Sequence, residues 1–233
     1  MKIKTNKIPE FKEAIENLKK VAFETNMEFK PEGLTLFGSL AGNTIMNIEI
    51  EKDFFTEYIV ADGGEKIGIN LIDLVTIFKN INSEFTMEEI NNVLIITNGK
   101  DKYKLPTLNE LDIQSRIPDI KIEYSFELTP VELFTALTKL KFAGMGAVSL
   151  TYKDTGIIMK TVDGIKEMET YLTDAPEFKG ESLFSMEYLN HMASKSSNNK
   201  MTLYVEQDKP CIFKYLNDKI STTYIIAPRV TKD

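Results

Sequence analysis

The chain repeats itself, and an internal repeat restricts the fold more than any composition does. FKPEGLTL at residues 29–36 aligns with YKDTGIIM at 152–159. Each has an aromatic residue, a lysine, two turn residues, a glycine and then apolar residues. That order reads as strand, tight turn with glycine at a position needing positive φ, and strand. Upstream of both lies a helical stripe with spacing i, i+3, i+4, i+7: Phe11, Ala14, Ile15 and Leu18 in the first copy, Leu133, Ala136, Leu137 and Leu140 in the second. Pro9 and Pro130 stand near the helix starts, where proline is tolerated.

The match continues downstream. NLIDLVTIFKN (70–80) answers SMEYLNHMASK (185–195), with Leu71, Leu74 and Ile77 against Met186, Leu189 and Met192. Three strand-like runs follow each: EFTMEEI, NVLIITN and YKLPTL, then MTLYVEQ, CIFKYLN and TTYIIAP. The offset drifts, as small loop insertions produce. The reading is an α+β chain of two duplicated domains, each of antiparallel sheets with two helices: residues 1–108 and 126–233, joined by a polar connector at 109–125.

Composition bounds the chemistry. At 233 residues the chain is long enough for two domains with adequate cores, and 42% hydrophobic residues mark it as globular. No apolar run approaches the ~20 residues of a membrane span, and MKIKTNKIPEF lacks an apolar signal core, so an intracellular protein is expected. The lone Cys211 reads as a buried small hydrophobe, with a reactive thiol as the alternative. There is one histidine, His191, expected on a helix surface, and neither a G-x-G-x-x-G nor a P-loop pattern. GMG at 144–146 reads as a helix exit. No metal or cofactor is expected.

The net charge of −7 argues against a broadly basic surface but leaves room for local positive charge. The four helical segments, taken as 9–20, 70–80, 129–142 and 184–200, hold Lys12, Lys19, Lys20, Lys79, Lys139, Lys141, Lys195 and Lys200 against six acids. They are therefore slightly basic while the remainder is more strongly acidic. Most of these lysines fall off the apolar stripes, and the acids favour helix beginnings, where the macrodipole favours negative charge. An ordinary solvated helix face has the same pattern.

Taken together, the duplicated halves, the connector LDIQSRIP (111–118), the helix SMEYLNHMASKS and the ending YIIAPRV resemble the DNA sliding clamps of the proliferating cell nuclear antigen (PCNA) family. The resemblance covers nearly the whole chain. Ile225 stands where that family more often has a tyrosine, and Arg116 replaces a small residue. The resemblance implies a clamp fold in which three chains close head to tail into a ring, a homotrimer, with helices lining the hole. It implies sequence-independent contact with double-stranded DNA through the eight helix lysines. It implies edge-strand pairing between subunits through residues 101–108 and 164–172, with Tyr103, Leu105, Lys166 and Met168 at the interface. It further implies an apolar pocket for a short motif of DNA polymerases, nucleases and ligases, formed by Leu40, Ile117, Pro118, Pro210, Ile225, Ala227 and Pro228. A separate clamp-loader ATPase would open the ring, and the chain itself would be no enzyme. Its place would be the nucleus in a eukaryote or the cytoplasm in an archaeon, with a viral origin also open.

Other readings stay open on sequence alone. They are a subunit of a heterotrimeric or checkpoint-type clamp, a monomeric processivity factor gripping DNA by one basic face, and an unrelated α+β enzyme using Glu49 with Glu51 or Glu88 with Glu89.

Overall fold

The computed structural model describes residues 1–109, 111, 117–153, 156–163, 165–175, 180–194 and 199–229. The chain divides into two compact units, Met1–Ile117 with Asn217–Thr222, and Pro118–Leu216 with Thr223–Asp233. The division falls at residues 117/118, inside the stretch expected to connect the domains.

The first unit runs β1 (Lys2–Thr5), α1 (Ile8–Lys19), β2 (Glu24–Lys30), β3 (Gly33–Leu40), β4 (Thr44–Glu51), β5 (Glu57–Ile59), β6 (Glu65–Asn70), α2 (Leu71–Phe78), β7 (Phe85–Ile90), β8 (Val93–Asn98) and β9 (Asp101–Pro106). One sheet has the order β5-β1-β7-β8-β9, and β4-β3-β2-β6 are neighbours in another. The pairs are antiparallel throughout. The helix α1 forms where the 3.6-residue stripe predicts it, burying Ile8, Phe11, Ala14, Ile15 and Leu18. On α2 the buried face is Leu71, Leu74, Val75 and Phe78, so Val75 and Phe78 take the place expected for Ile77. The reason is aromatic packing: Phe78 lies 5.1 Å from Phe11 and 4.8 Å, edge-on, from Phe85. Such contacts add about 0.5–1.5 kcal/mol each beyond area burial.

Glycine in the first repeat serves a close approach. Gly33 has φ +153°, and a Cβ there would stand 2.1 Å from the carbonyl oxygen of Ile50 on β4. Its counterpart Gly156 does not have the positive φ expected of it; instead a Cβ would meet the Thr173 carbonyl oxygen at 2.3 Å. Backbone crowding by the next strand is the requirement common to both copies.

The second unit runs β10 (Ser125–Leu128), α3 (Pro130–Leu140), β11 (Ala147–Lys153), β12 (Gly156–Asp163), β13 (Lys166–Asp174), β14 (Glu181–Ser185), α4 (Met186–Leu189), β15 (Met201–Tyr204), β16 (Cys211–Asn217) and β17 (Ile220–Ile226), except that Asn217 and the start of β17 as far as Thr222 count with the first unit. Its strands order as β10-β15-β16-β17 and β13-β12-β11-β14. A capping box starts α3: Thr129 accepts from the Glu132 amide while the Glu132 carboxylate accepts from the Thr129 amide. The stripe Leu133, Ala136, Leu137 and Leu140 is buried as the spacing predicts. The segment taken as a helix over 184–200 is shorter. Its α-helix is four residues, Met186–Leu189, followed by a turn in which the Asn190 side chain donates to the Met186 carbonyl at 2.9 Å. The Asn190 backbone amide donates to the same carbonyl, and the amides of His191, Met192 and Ala193 then bond three residues back, which tightens the chain into turns. Met192, in the turn, is still buried.

Candidate DNA-facing helices, open strand edges and docking residues

Of the candidate lysines on α1 and α2, all but Lys12 stand at helix C-termini. Lys19 lies in the last turn of α1 with Lys20 at its C-cap, and Lys79 caps α2. The acids Glu10 and Asp73 take the first turns. This polarity complements the helix dipole and is worth ~0.3–1 kcal/mol per favourable charge. In the second unit Lys139 is in the last turn of α3, Lys141 is its C-cap, and both are exposed. Lys12 is half-buried on α1.

Among the described residues, Lys200 and Lys20 have side-chain partners. Lys200 pairs with Glu127 at 2.5 Å. Lys20 donates to Asn17 Oδ1 at 2.8 Å; loss of hydration holds its ammonium below the usual lysine range, against the opposing pull of Glu13 and Glu16. Glu13 is raised chiefly by the same desolvation and lowered in turn by Lys20 and by the Asn217 amide. Lys195 lies outside the described residues.

Strand β9 ends the first unit's sheet and β13 ends one of the second unit's. On β9, Leu105 is buried and Tyr103 half-buried. Pro106 sits in the same strand, a position consistent with an edge because proline donates nothing to a ladder. On β13, Lys166 is exposed and Met168 half-buried. Around the β12–β13 hairpin Val162 and Ile165 stand exposed, with Tyr171 on the strand itself.

Of the docking residues, Leu40 ends β3 and is half-buried, and Ile117 is 38% exposed. In the second unit Pro118 is exposed and Pro210, Ala227 and Pro228 are half-buried, whereas Ile225 is only 4% exposed. Ile225 therefore belongs to the packed part of β17 rather than to an accessible wall. The segment after β17 is pinned, since the Arg229 amide donates to the Leu183 carbonyl at 2.7 Å.

The connector is fastened in the first unit by Asn26, whose Nδ2 donates to the Leu111 carbonyl at 2.8 Å and whose Oδ1 accepts from the Leu111 amide at 3.1 Å. Leu108 adds a bridge to Gly68. Nothing in the local pattern around Asn26 marks this role. The sequence also gave no sign of the groove lined by Ile120, Ile122, Tyr204, Lys209, Ile212 and Lys214.

The carboxylates held open for catalysis have structural partners. Glu49 accepts from Asn47, Glu51 pairs with Lys219, and Glu89 accepts from the Asn92 amide. Glu88 stands opposite Lys2 across the β1–β7 pair. His191 is not a free surface histidine: its Nδ1 lies 2.9 Å from the hydroxyl of fully buried Tyr224. Cys211 is buried and burial pushes its thiol up, away from reactivity. Among the described residues there is no group of acids, histidines and cysteines able to hold a metal, and no helix is long and apolar enough to cross a membrane.

No family model matches the chain. Among curated proteins it is 26% identical over 234 residues to the DNA polymerase sliding clamp of Methanosarcina mazei, covering 95% of this chain and 96% of that one. The sliding clamp of Methanosarcina acetivorans gives the same identity and coverage. Among solved structures, A. fulgidus PCNA with the C-terminal region of FEN-1 bound superposes with TM-score 0.86 at 19% identity, over 100% of this chain and 99% of that one. The PCNA of Thermococcus kodakaraensis gives TM-score 0.87 at 18% identity, over 98% and 99% of the two chains. That of Entamoeba histolytica gives 0.87 at 17%, over 98% of each. The chain has the fold of the PCNA-type DNA sliding clamps and is similar in sequence to sliding clamps over nearly its whole length.

Proposed function

We propose that this chain is the subunit of a sliding clamp: three copies close head to tail around duplex DNA and tether DNA polymerases and other replication and repair proteins to it. The observation that carries this reading is one α+β module occurring twice, with an edge strand ending a sheet in each copy, β9 in the first and β13 in the second. Edge strands of this kind pair across a boundary, and a head-to-tail contact closes into a ring when its rotation permits. Tyr103 and Leu105 on β9 would meet Lys166 and Met168 on β13 of the next subunit. The curated relatives named as DNA polymerase sliding clamps, and the PCNA structure with a FEN-1 segment bound, support the same function.

The mechanism is topological. Lysine–phosphate contacts are blind to sequence and weakened by salt, so they permit sliding. A closed ring needs only weak contacts of this kind, from Lys12, Lys19, Lys20, Lys79, Lys139, Lys141, Lys195 and Lys200, because escape requires opening. The negative balance of the remaining chain keeps other faces off DNA. The chain catalyses no reaction, needs no cofactor, acts inside the cell where its DNA lies, and depends on a separate ATPase for loading. Partners dock a short apolar motif at Leu40, Ile117, Pro118, Pro210, Ala227 and Pro228, bordered by Ile225.

The test is primer extension on a long singly primed template with Lys12, Lys79 and Lys139 all changed to alanine, alongside light scattering. The expected outcome is shorter polymerase products with an assembly mass unchanged at three times the 26.5 kDa of the chain. Full-length products at wild-type yield would reject the assignment of these helices to DNA.

A further inference from the structure

The second unit carries a groove of about 440 Å³ lined by Ile120, Lys121, Ile122, Glu123, Tyr204, Lys209, Ile212 and Lys214. Its construction follows from strand register. Phe126, Leu203 and Phe213 are cross-strand partners and buried, so they form the core face of β10, β15 and β16. Ser125, Tyr204 and Ile212 are the neighbouring partners and point the other way. On that outward face Ile212 would be solvated, yet it is only 7% exposed. The irregular segment bearing Ile120 and Ile122 lines the same groove as Ile212 and gives it an aliphatic floor.

Charges rim this floor. Three lysines line the groove against one acid, Glu123, in a chain whose net charge is −7. Their settings differ. Lys209 is held by Glu206 at 2.6 Å and donates to the Lys121 carbonyl at 3.0 Å, while Glu206 also accepts from the Glu123 amide at 3.1 Å. Those contacts fasten the segment and fix the groove's shape. Lys214 lies over the Tyr204 ring, 5.2 Å from its centroid, and Lys121 is exposed. The positive charge of Lys121 and Lys214 is thus presented at the rim beside an apolar floor.

An occupant must supply both carboxylates and an aliphatic group. A nucleic-acid strand offers phosphates but nothing aliphatic for the floor, and the Tyr204 face on which a base would stack is already covered by Lys214. An acidic peptide offers both. The groove also adjoins the proposed docking residues: Ile120 is two positions after Pro118, and Lys209 precedes Pro210.

We propose that this groove receives an acidic stretch of a partner protein, one aliphatic side chain seated on Ile120, Ile122 and Ile212 and its carboxylates facing Lys121 and Lys214, beside the motif docked at Pro118 and Pro210. The inference rests on the recruitment reading and adds a charge preference to it. Two rim pairs at the usual strength of exposed ion pairs give about a fivefold preference at low salt.

Three synthetic peptides with a common aromatic docking motif and acidic, neutral or basic flanks, titrated by fluorescence anisotropy against the full chain, test it. The acidic flank should bind about fivefold tighter than the neutral one. That advantage should vanish in ~0.5 M salt and in a Lys121→Glu/Lys214→Glu variant, which leaves the apolar floor intact. Equal affinities, or an advantage that survives the double reversal, would overturn the groove while leaving recruitment standing. If none of the three binds, recruitment fails, and the groove is judged by the acidic flank alone, carrying one leucine, at millimolar concentration. Methyl shifts at Ile120, Ile122 and Ile212 then support it; silence there, or equal shifts with a single-stranded oligonucleotide, overturns it.

Discussion

Replacing Asn26 by alanine tests how the chain secures its connector. Asn26 is 2% exposed, and both polar ends of its amide are used on one residue, at 2.8 Å to the Leu111 carbonyl and 3.1 Å from its amide. A typical intramolecular hydrogen bond contributes about 0.5–1.5 kcal/mol net, and an orphaned buried partner costs more. Leu111 is half-exposed, so water recovers part of the loss once the side chain is gone. Two bonds then sum to about 2 kcal/mol. For a chain of this size each kcal/mol moves Tm by about 2–4 °C, so Asn26→Ala should lower it by about 4–8 °C. Amide exchange at Leu111 should accelerate by more than the global loss of stability accelerates exchange in the core strands. Asn26→Asp keeps the acceptor for the Leu111 amide but sets an oxygen against the Leu111 carbonyl and buries a charge, so it should be at least as damaging at neutral pH. A Tm within 1 °C of wild type in Asn26→Ala, with Leu111 exchange unchanged, would refute this anchoring of the connector by Asn26.

Gly33→Ala and Gly156→Ala should each destabilise their unit by more than ~2 kcal/mol in urea, since each Cβ must displace a strand carbonyl; Gly99→Ala, with open space around it, should cost only ~1 kcal/mol for its left-handed backbone. A loss at Gly156, which has no positive φ, no larger than the loss at Gly99 would show that crowding does not decide. The Lys7 ammonium holds the Asp218 carboxyl below its usual range. Its stabilisation is complete above the unfolded value of ~3.9 and disappears as pH falls through the lower folded value, so Asp218→Asn should flatten the acid limb of the stability curve there; Glu13, raised by burial, works the other way, and Glu13→Gln should raise Tm at neutral pH but not in acid. An acid limb identical to wild type in Asp218→Asn would remove the ion pair from the account. Ile117→Ala combined with Ala227→Asp should abolish capture of a partner peptide without altering assembly mass; peptide affinity at wild-type level would reject the docking residues.

The architecture was legible because the repeat carries it redundantly. Two helical stripes, two strand–turn–strand signatures and three strand runs recur in order, and α1, α3, β7 to β9 and β15 to β17 lie where their periodicities predict. What escaped the sequence depends on tertiary neighbours. The buried face of α2 turned to Val75 and Phe78 because Phe11 and Phe85 complete an aromatic cluster, information absent from residues 70–80 themselves. The 184–200 segment reads as a helix by its methionines and leucine, but from His191 on the backbone bonds shorten to three-residue turns. A lone histidine looked like a solvated one until Tyr224, 33 positions away, was placed against it. The acids at helix beginnings could be read because the dipole rule is local, whereas the groove at Ile120 and Ile212 joins segments some ninety residues apart and has no local signature.

Encirclement is the claim on which the rest depends, and retention on DNA of different topology measures it most directly. Clamps loaded onto nicked circular DNA and passed over a sizing column in ~0.5 M salt should stay with the circles, because screening removes phosphate contacts but cannot open a closed ring. Cutting the circle once should release them within the time of the run. Loss from intact circles at that salt, or equal retention before and after cutting, would contradict the account.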